Sequence, residues 1–99
     1  MNNIALSKPE TNLLNKLTAE YGLIVNDSLT AAVNPLSGAS VQTTPLVAAL
    51  IRFTQVAYQS YELFGRMSFK HKAVSIQTYD RVRYLVLKLD KNAYAEVLD

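Results

Sequence analysis

Cysteine and tryptophan are absent from this chain of 99 residues, histidine occurs once, and glycine and proline three times each. The lack of cysteine excludes a disulfide scaffold, a thiolate zinc site, an iron–sulfur cluster and a cysteine nucleophile. With His71 as the lone histidine, a multi-histidine metal centre is excluded too. Long apolar runs are also missing. The longest, Leu46–Ile51, has six residues, against the ~20 that a membrane-spanning helix needs. The wider stretch from Leu46 to Phe64 is interrupted by Arg52, Gln55, Gln59 and Glu62, all costly in lipid. The first ten residues carry neither a basic segment nor an apolar one of the kind that directs secretion. The expectation is therefore a cytoplasmic protein with no membrane partner.

What is present is 49% hydrophobic and 18% charged residues. That is too apolar for intrinsic disorder and too short for two ordinary domains, so residues 1–99 read as a single globular domain. Its formal charge is +2, unevenly placed. Residues 1–51 carry Lys8 and Lys16 against Glu10, Glu20 and Asp27, whereas residues 52–99 carry eight basic and five acidic side chains.

Gly22, Gly38 and Gly65 divide the chain into four segments. In the first, Ser7 followed by Glu10 forms a capping-box pattern, and Pro9 is tolerated in a first helical turn. Leu13, Leu14, Leu17 and Tyr21 recur at helical spacing opposite a wet face of Asn12, Lys16 and Glu20. A helix over 8–21 follows, with Gly22 as its left-handed terminus. Ile4 and Leu6 are expected to pack back onto it. The second segment suggests a brief helix through Leu29, Ala31, Ala32 and Val33, stopped by Asn34-Pro35. Residues 37–44 read as loop.

The strongest helix signal runs over 45–64. Thr44 stands at the cap position and Pro45 at the first turn. Apolar residues fall at 46, 49, 50, 53, 56, 57, 61 and 64, one broad stripe widened by Val47, Ile51, Tyr58 and Leu63. A helix apolar around most of its girth is expected at the centre of the fold. Residues 66–75 suggest a short hairpin with a basic tip at Lys70-His71-Lys72. The last segment, with Val82, Leu85, Val86, Leu89, Ala93 and Val97 at helical spacing, reads as helix from Ser75 or Thr78 onward, with a break near Asp90–Asn92. The alternative is a buried strand over 82–89, where strand formers cluster. The expected fold is thus mostly α: a bundle of three to four helices with a short β-hairpin near 66–75, or α+β if 82–89 is a strand.

Catalytic constellations are hard to assemble from these residues. No serine sits in a Gly-x-Ser-x-Gly turn, and His71 lies between two lysines, a setting that does not build a site. The carboxylates are scattered, and Gly65-Arg-Met-Ser-Phe-Lys lacks the second glycine and Gly-Lys-Ser/Thr ending of a phosphate loop. No cofactor or metal is expected. Two features remain. Eight of nine aromatics lie between Phe53 and Tyr94; Phe53, Tyr61 and Phe64 read as core, while Tyr58, Tyr79 and Tyr84 are better placed to reach water. Arg66, Lys70, His71, Lys72, Arg81 and Arg83 form a basic cluster mixed with aromatics, the composition that holds single-stranded nucleic acid.

The leading expectation is a non-enzymatic protein–protein interaction module: an adaptor, an assembly subunit or a small inhibitor of another protein. Its apolar interface is placed at Val47, Ile51 and Tyr58, the flank of the 45–64 helix left over once neighbouring helices cover two sides. This implies a homo-oligomer or a hetero-protein partner. If the 23–33 segment folds over that flank instead, the monomer closes. The alternative is a small nucleic-acid-associated protein using the basic 66–83 patch.

Overall fold

A computed structural model describes residues 5–99. Four helices and two small hairpins follow one another: α1 (Lys8–Tyr21), β1 (Ala31–Val33), β2 (Ser40–Gln42), α2 (Pro45–Phe64), β3 (Ser68–Phe69), β4 (Lys72–Ala73), α3 (Ile76–Leu89) and α4 (Lys91–Val97). The architecture is the mostly α bundle with a 66–75 hairpin, and the competing strand over 82–89 is helix.

The helix ends follow from side chains within three residues of them. Ser7 accepts from the Glu10 amide while the Glu10 carboxylate accepts from the Ser7 amide at 2.8 Å, so two of the free donors at the helix start are satisfied. Thr44, Ser75 and Asp90 accept from the amides of Val47, Thr78 and Ala93 in the same way. Gly22 and Gly65 close α1 and α2 at φ of 67° and 78°, a region open to glycine without a Cβ penalty. Asp90 both ends α3 and starts α4: its extended backbone breaks the helix, and its second oxygen accepts from the Thr43 hydroxyl at 2.7 Å.

α2 is the spine. Its buried residues Val47, Leu50, Ile51, Phe53, Thr54 and Ala57 meet α3 on one flank, β3 on another and β1 on a third. Phe53 is sealed by Tyr21 edge-on at 5.4 Å and by Phe69 at 4.9 Å. The Tyr21 hydroxyl donates to the Ala73 carbonyl at 2.9 Å, tying α1 to the second hairpin. The Thr54 hydroxyl returns to the Ile51 carbonyl at 2.7 Å, which satisfies a buried polar group locally. α1 packs on α3, and α4 packs across α3 and β2. Leu6 lies against this core; Ile4 falls outside the described residues.

The 29–33 segment is not the brief helix that its composition suggests. Ala31, Ala32 and Val33 pair antiparallel with Gln42, Val41 and Ser40. The Asn34-Pro35 and Gly38 punctuation makes a hairpin turn rather than a helix stop. The Asn34 side-chain oxygen accepts from the amides of Leu36 and Ser37, and the Asn34 carbonyl accepts from Gly38, an Asx turn.

The apolar interface expected at Val47 and Ile51 is also overturned: both are buried, each only 1% exposed. The first hairpin folds over this flank of α2, bringing Ala31–Val33 beside Ile51, and the Gln55 amide donates to the Val33 carbonyl at 2.9 Å. The cover comes from the 23–33 stretch, which supplies a strand, Ala31–Val33, in place of the expected brief helix. Of the expected interface, Tyr58 alone stays in water.

Candidate functional site

The second half of α2 departs from the stripe pattern. Every buried α2 residue lies between Val47 and Ala57, and none beyond it. Tyr61 and Phe64 continue the same core-facing stripe as Leu50, Phe53 and Ala57, yet they are 53% and 75% exposed. On this stripe Phe53 is covered by Tyr21 of α1 and Phe69 of β3, and none of the α2 residues beyond Ala57 is buried.

At this end of α2 the rings of Tyr61, Tyr58 and Tyr79 form an arc, with Phe64 and Ile76 one helical turn from its ends. Phe64 follows Tyr61 by one helical turn, and the Tyr61 and Tyr58 rings are 6.2 Å apart. Tyr58 stacks with Tyr79 of α3 at 6.4 Å. Ile76, 64% exposed, precedes Tyr79 by one turn, the spacing at which helical side chains are neighbours. Tyr79 is the arc's anchored member. Burial pushes its phenol up, with the Arg83 guanidinium pulling the other way.

The basic cluster is dispersed into separate settings. Arg83 lies between Tyr79 and Tyr94, with its guanidinium carbon 5.7 Å from each ring, and donates to the Tyr94 hydroxyl and the Leu98 carbonyl. It staples α4 to α3. Arg81 faces a cleft of about 240 Å³ between α1 and α3, lined also by Pro9, Glu10, Leu13, Tyr84 and Leu85. Lys70, His71 and Lys72 occupy the second hairpin, and Arg66 follows the end of α2. Lys70 donates to the Gly22 carbonyl at 2.9 Å and sits 5.6 Å from the Phe69 ring, so its charge serves the capped end of α1. Both tip residues, Lys70 and His71, have positive φ (50° and 69°), as a two-residue hairpin of the tightest kind requires.

The two clefts have little chemistry of their own. In the α1–α3 cleft the Glu10 carboxylate has a lowered pKa, first from the Lys88 ammonium at 2.7 Å and then from the Ser7 amide. It is a fixed acceptor rather than a proton donor. The second cleft, about 210 Å³ between β1 and α2, is lined by alanines, Val33, Ile51, Gln55 and Arg52. Neither brings a nucleophile against a base. Among the described residues no group of three or more His, Asp or Glu could hold a metal ion. No described helix is long and apolar enough to cross a membrane.

Sequence reasoning assigned Tyr61 and Phe64 to the core and did not single out Ile76. Periodicity could not have shown this exposure, because Tyr61 and Phe64 face the same way as Phe53 and differ from it only in what lies over them. No family model, curated protein or solved structure matches the chain.

Proposed function

We propose that this chain is a non-enzymatic protein–protein interaction module whose docking surface is the arc of Tyr58, Tyr61, Phe64, Ile76 and Tyr79. The observation that carries this reading is the exposure of Phe64, at 75%, on the same helical stripe as the fully buried Phe53. Scattered exposed apolar residues need no explanation, but a contiguous patch near the ~300–600 Å² upper range for monomers does. Four exposed members, at roughly 150–250 Å² of burial capacity for each aromatic, reach that range. Tyrosine and phenylalanine are also the types that interface centres favour. Binding through a rigid helix end rather than a loop lowers the ordering cost of association.

Photo-crosslinking tests the reading. A photoreactive residue at position 64 is compared with one at position 16, on the wet face of α1, in cells of the source organism. Defined protein adducts at 64 and none at 16 are the expected result. The absence of any adduct at 64 removes the reading.

A further inference from the structure

We propose that α4 is an exchangeable arm: the Asp90 side chain keeps α3 and α4 from joining into one helix, and when that hold is lost α4 docks on a second copy of this chain. This is independent of the Tyr58–Phe64 arc. The first observation is how α3 ends. α1 and α2 stop at Gly22 and Gly65, both at positive φ. α3 stops at Asp90, at φ −152° and ψ 91°, and no glycine or proline occurs between Ile76 and Asp99. Asp90 is all that separates α3 from α4. The apolar period runs straight through it. Val82, Leu85, Val86, Leu89, Ala93 and Val97 fall on one face of a single helix. The local sequence therefore favours a continuous helix from Ile76 to Val97, about 33 Å long.

Asp90 opposes that helix with two bonds. Its Oδ1 accepts from the Ala93 amide at 3.0 Å, the donor that a continuous helix directs to the Leu89 carbonyl. Its Oδ2 accepts from the Thr43 hydroxyl at 2.7 Å, which ties the bend to the chain just after β2. The second observation selects the occupant. α4 already has a fitted seat. Ala93 and Val97 are buried, and α4 lies against α3, β1 and β2. Arg83 donates to the Tyr94 hydroxyl and the Leu98 carbonyl, and the Asn34 side-chain amide donates to the Glu96 carbonyl at 3.1 Å. A straightened helix carries Ala93, Tyr94 and Val97 out of this seat and leaves the seat open. A second copy has the same arm and the same seat, so each α4 fills the other chain's seat with the contacts it makes at home. Packing is then equal in the two forms, and the hinge decides between them. Short hinges are where such exchange arises.

Sedimentation equilibrium over about 1–200 µM tests this. Wild type, with both Asp90 bonds intact, should stay at 11.0 kDa. Asp90→Ala and Asp90→Gln place helix formers at the hinge and remove the short cap; both should reach twice that mass with undiminished helical circular dichroism. Asp90→Asn keeps a capping oxygen and should stay monomeric. Two glycines inserted after position 90 in the Asp90→Ala chain let α4 fold back on its own seat and should restore the monomer. Adding Phe64→Glu to Asp90→Ala should leave the dimer intact, because the arc takes no part. A monomeric Asp90→Ala at about 200 µM overturns the proposal, as does a dimer that survives the glycine insertion or is dispersed by Phe64→Glu. Unfolding of both Asp90→Ala and Asp90→Gln also overturns it, since an exchanged dimer keeps every contact of the α4 seat.

Discussion

Replacing His71 by glycine should make this protein more stable. His71 sits at φ 69° beside Lys70 at φ 50°, at the tip of the hairpin pairing Phe69 with Lys72. An L-residue in this left-handed region costs about 1–2 kcal/mol, which glycine does not incur. Glycine gives back about 0.5–1 kcal/mol through the larger entropy of its unfolded chain. The His71 side chain is exposed and makes no hydrogen bond among the described residues, so little else is lost. The balance is a gain of about 0.5–1 kcal/mol, or about 2–8 °C in melting temperature for a domain this size. His71→Ala is the control: it removes the imidazole and keeps the strain, so it should stay within about 0.5 kcal/mol of wild type. Urea unfolding followed by circular dichroism reads both. If His71→Gly is no more stable than His71→Ala, the strain argument is wrong; if His71→Ala falls well below wild type, the imidazole has a role that the turn geometry does not supply.

Leu50→Ala should cost about 2–5 kcal/mol in the same assay, because Leu50 is fully buried at the centre of α2; a loss under about 0.5 kcal/mol would contradict the packing. Arg83→Met should cost about 1–3 kcal/mol by removing charge-assisted bonds to Tyr94 and Leu98, and amide hydrogen exchange should rise in α4 before α1; uniform exchange across the two helices would contradict the staple. Glu10 has a lowered pKa in the folded state, so the native protein binds fewer protons there than the unfolded one. Its contribution is present above the ordinary value of 4.5 and is lost as pH falls through the lowered folded value. Lys88→Met should move the Glu10 carboxyl titration upward in an NMR pH series, and no movement would mean the 2.7 Å pair does not govern it.

The local features of this fold were legible because their causes are local. Ser7 with Glu10, Thr44 with Pro45, Ser75, Gly22 and Gly65 act through hydrogen bonds or backbone conformations that span no more than a few residues. The bounds of α1 and α2 and the start of α3 therefore follow from the order of residues alone. The strand-forming composition of 82–89 loses to the 3.6-residue period of Val82, Leu85, Val86 and Leu89, since only a helix buries Val82, Leu85 and Val86 together. The second hairpin was legible for a related reason: its two strands lie within six residues of each other.

The tertiary structure alone decided which side of each helix is covered. Ala31–Val33 are too few to show a period, and their partners lie across an Asn34–Gly38 turn, so strand and short helix had the same local signature. Once paired, they lie beside Ala48 and Ile51 and close part of the flank that periodicity marked as free. Periodicity likewise placed Tyr61 and Phe64 on the same stripe as Phe53, but a stripe records direction and not cover. Burial requires another element at that height along the helix axis. Tyr21 and Phe69 supply that element at Phe53; Phe64 has no such cover among the described residues, and there the same stripe is surface.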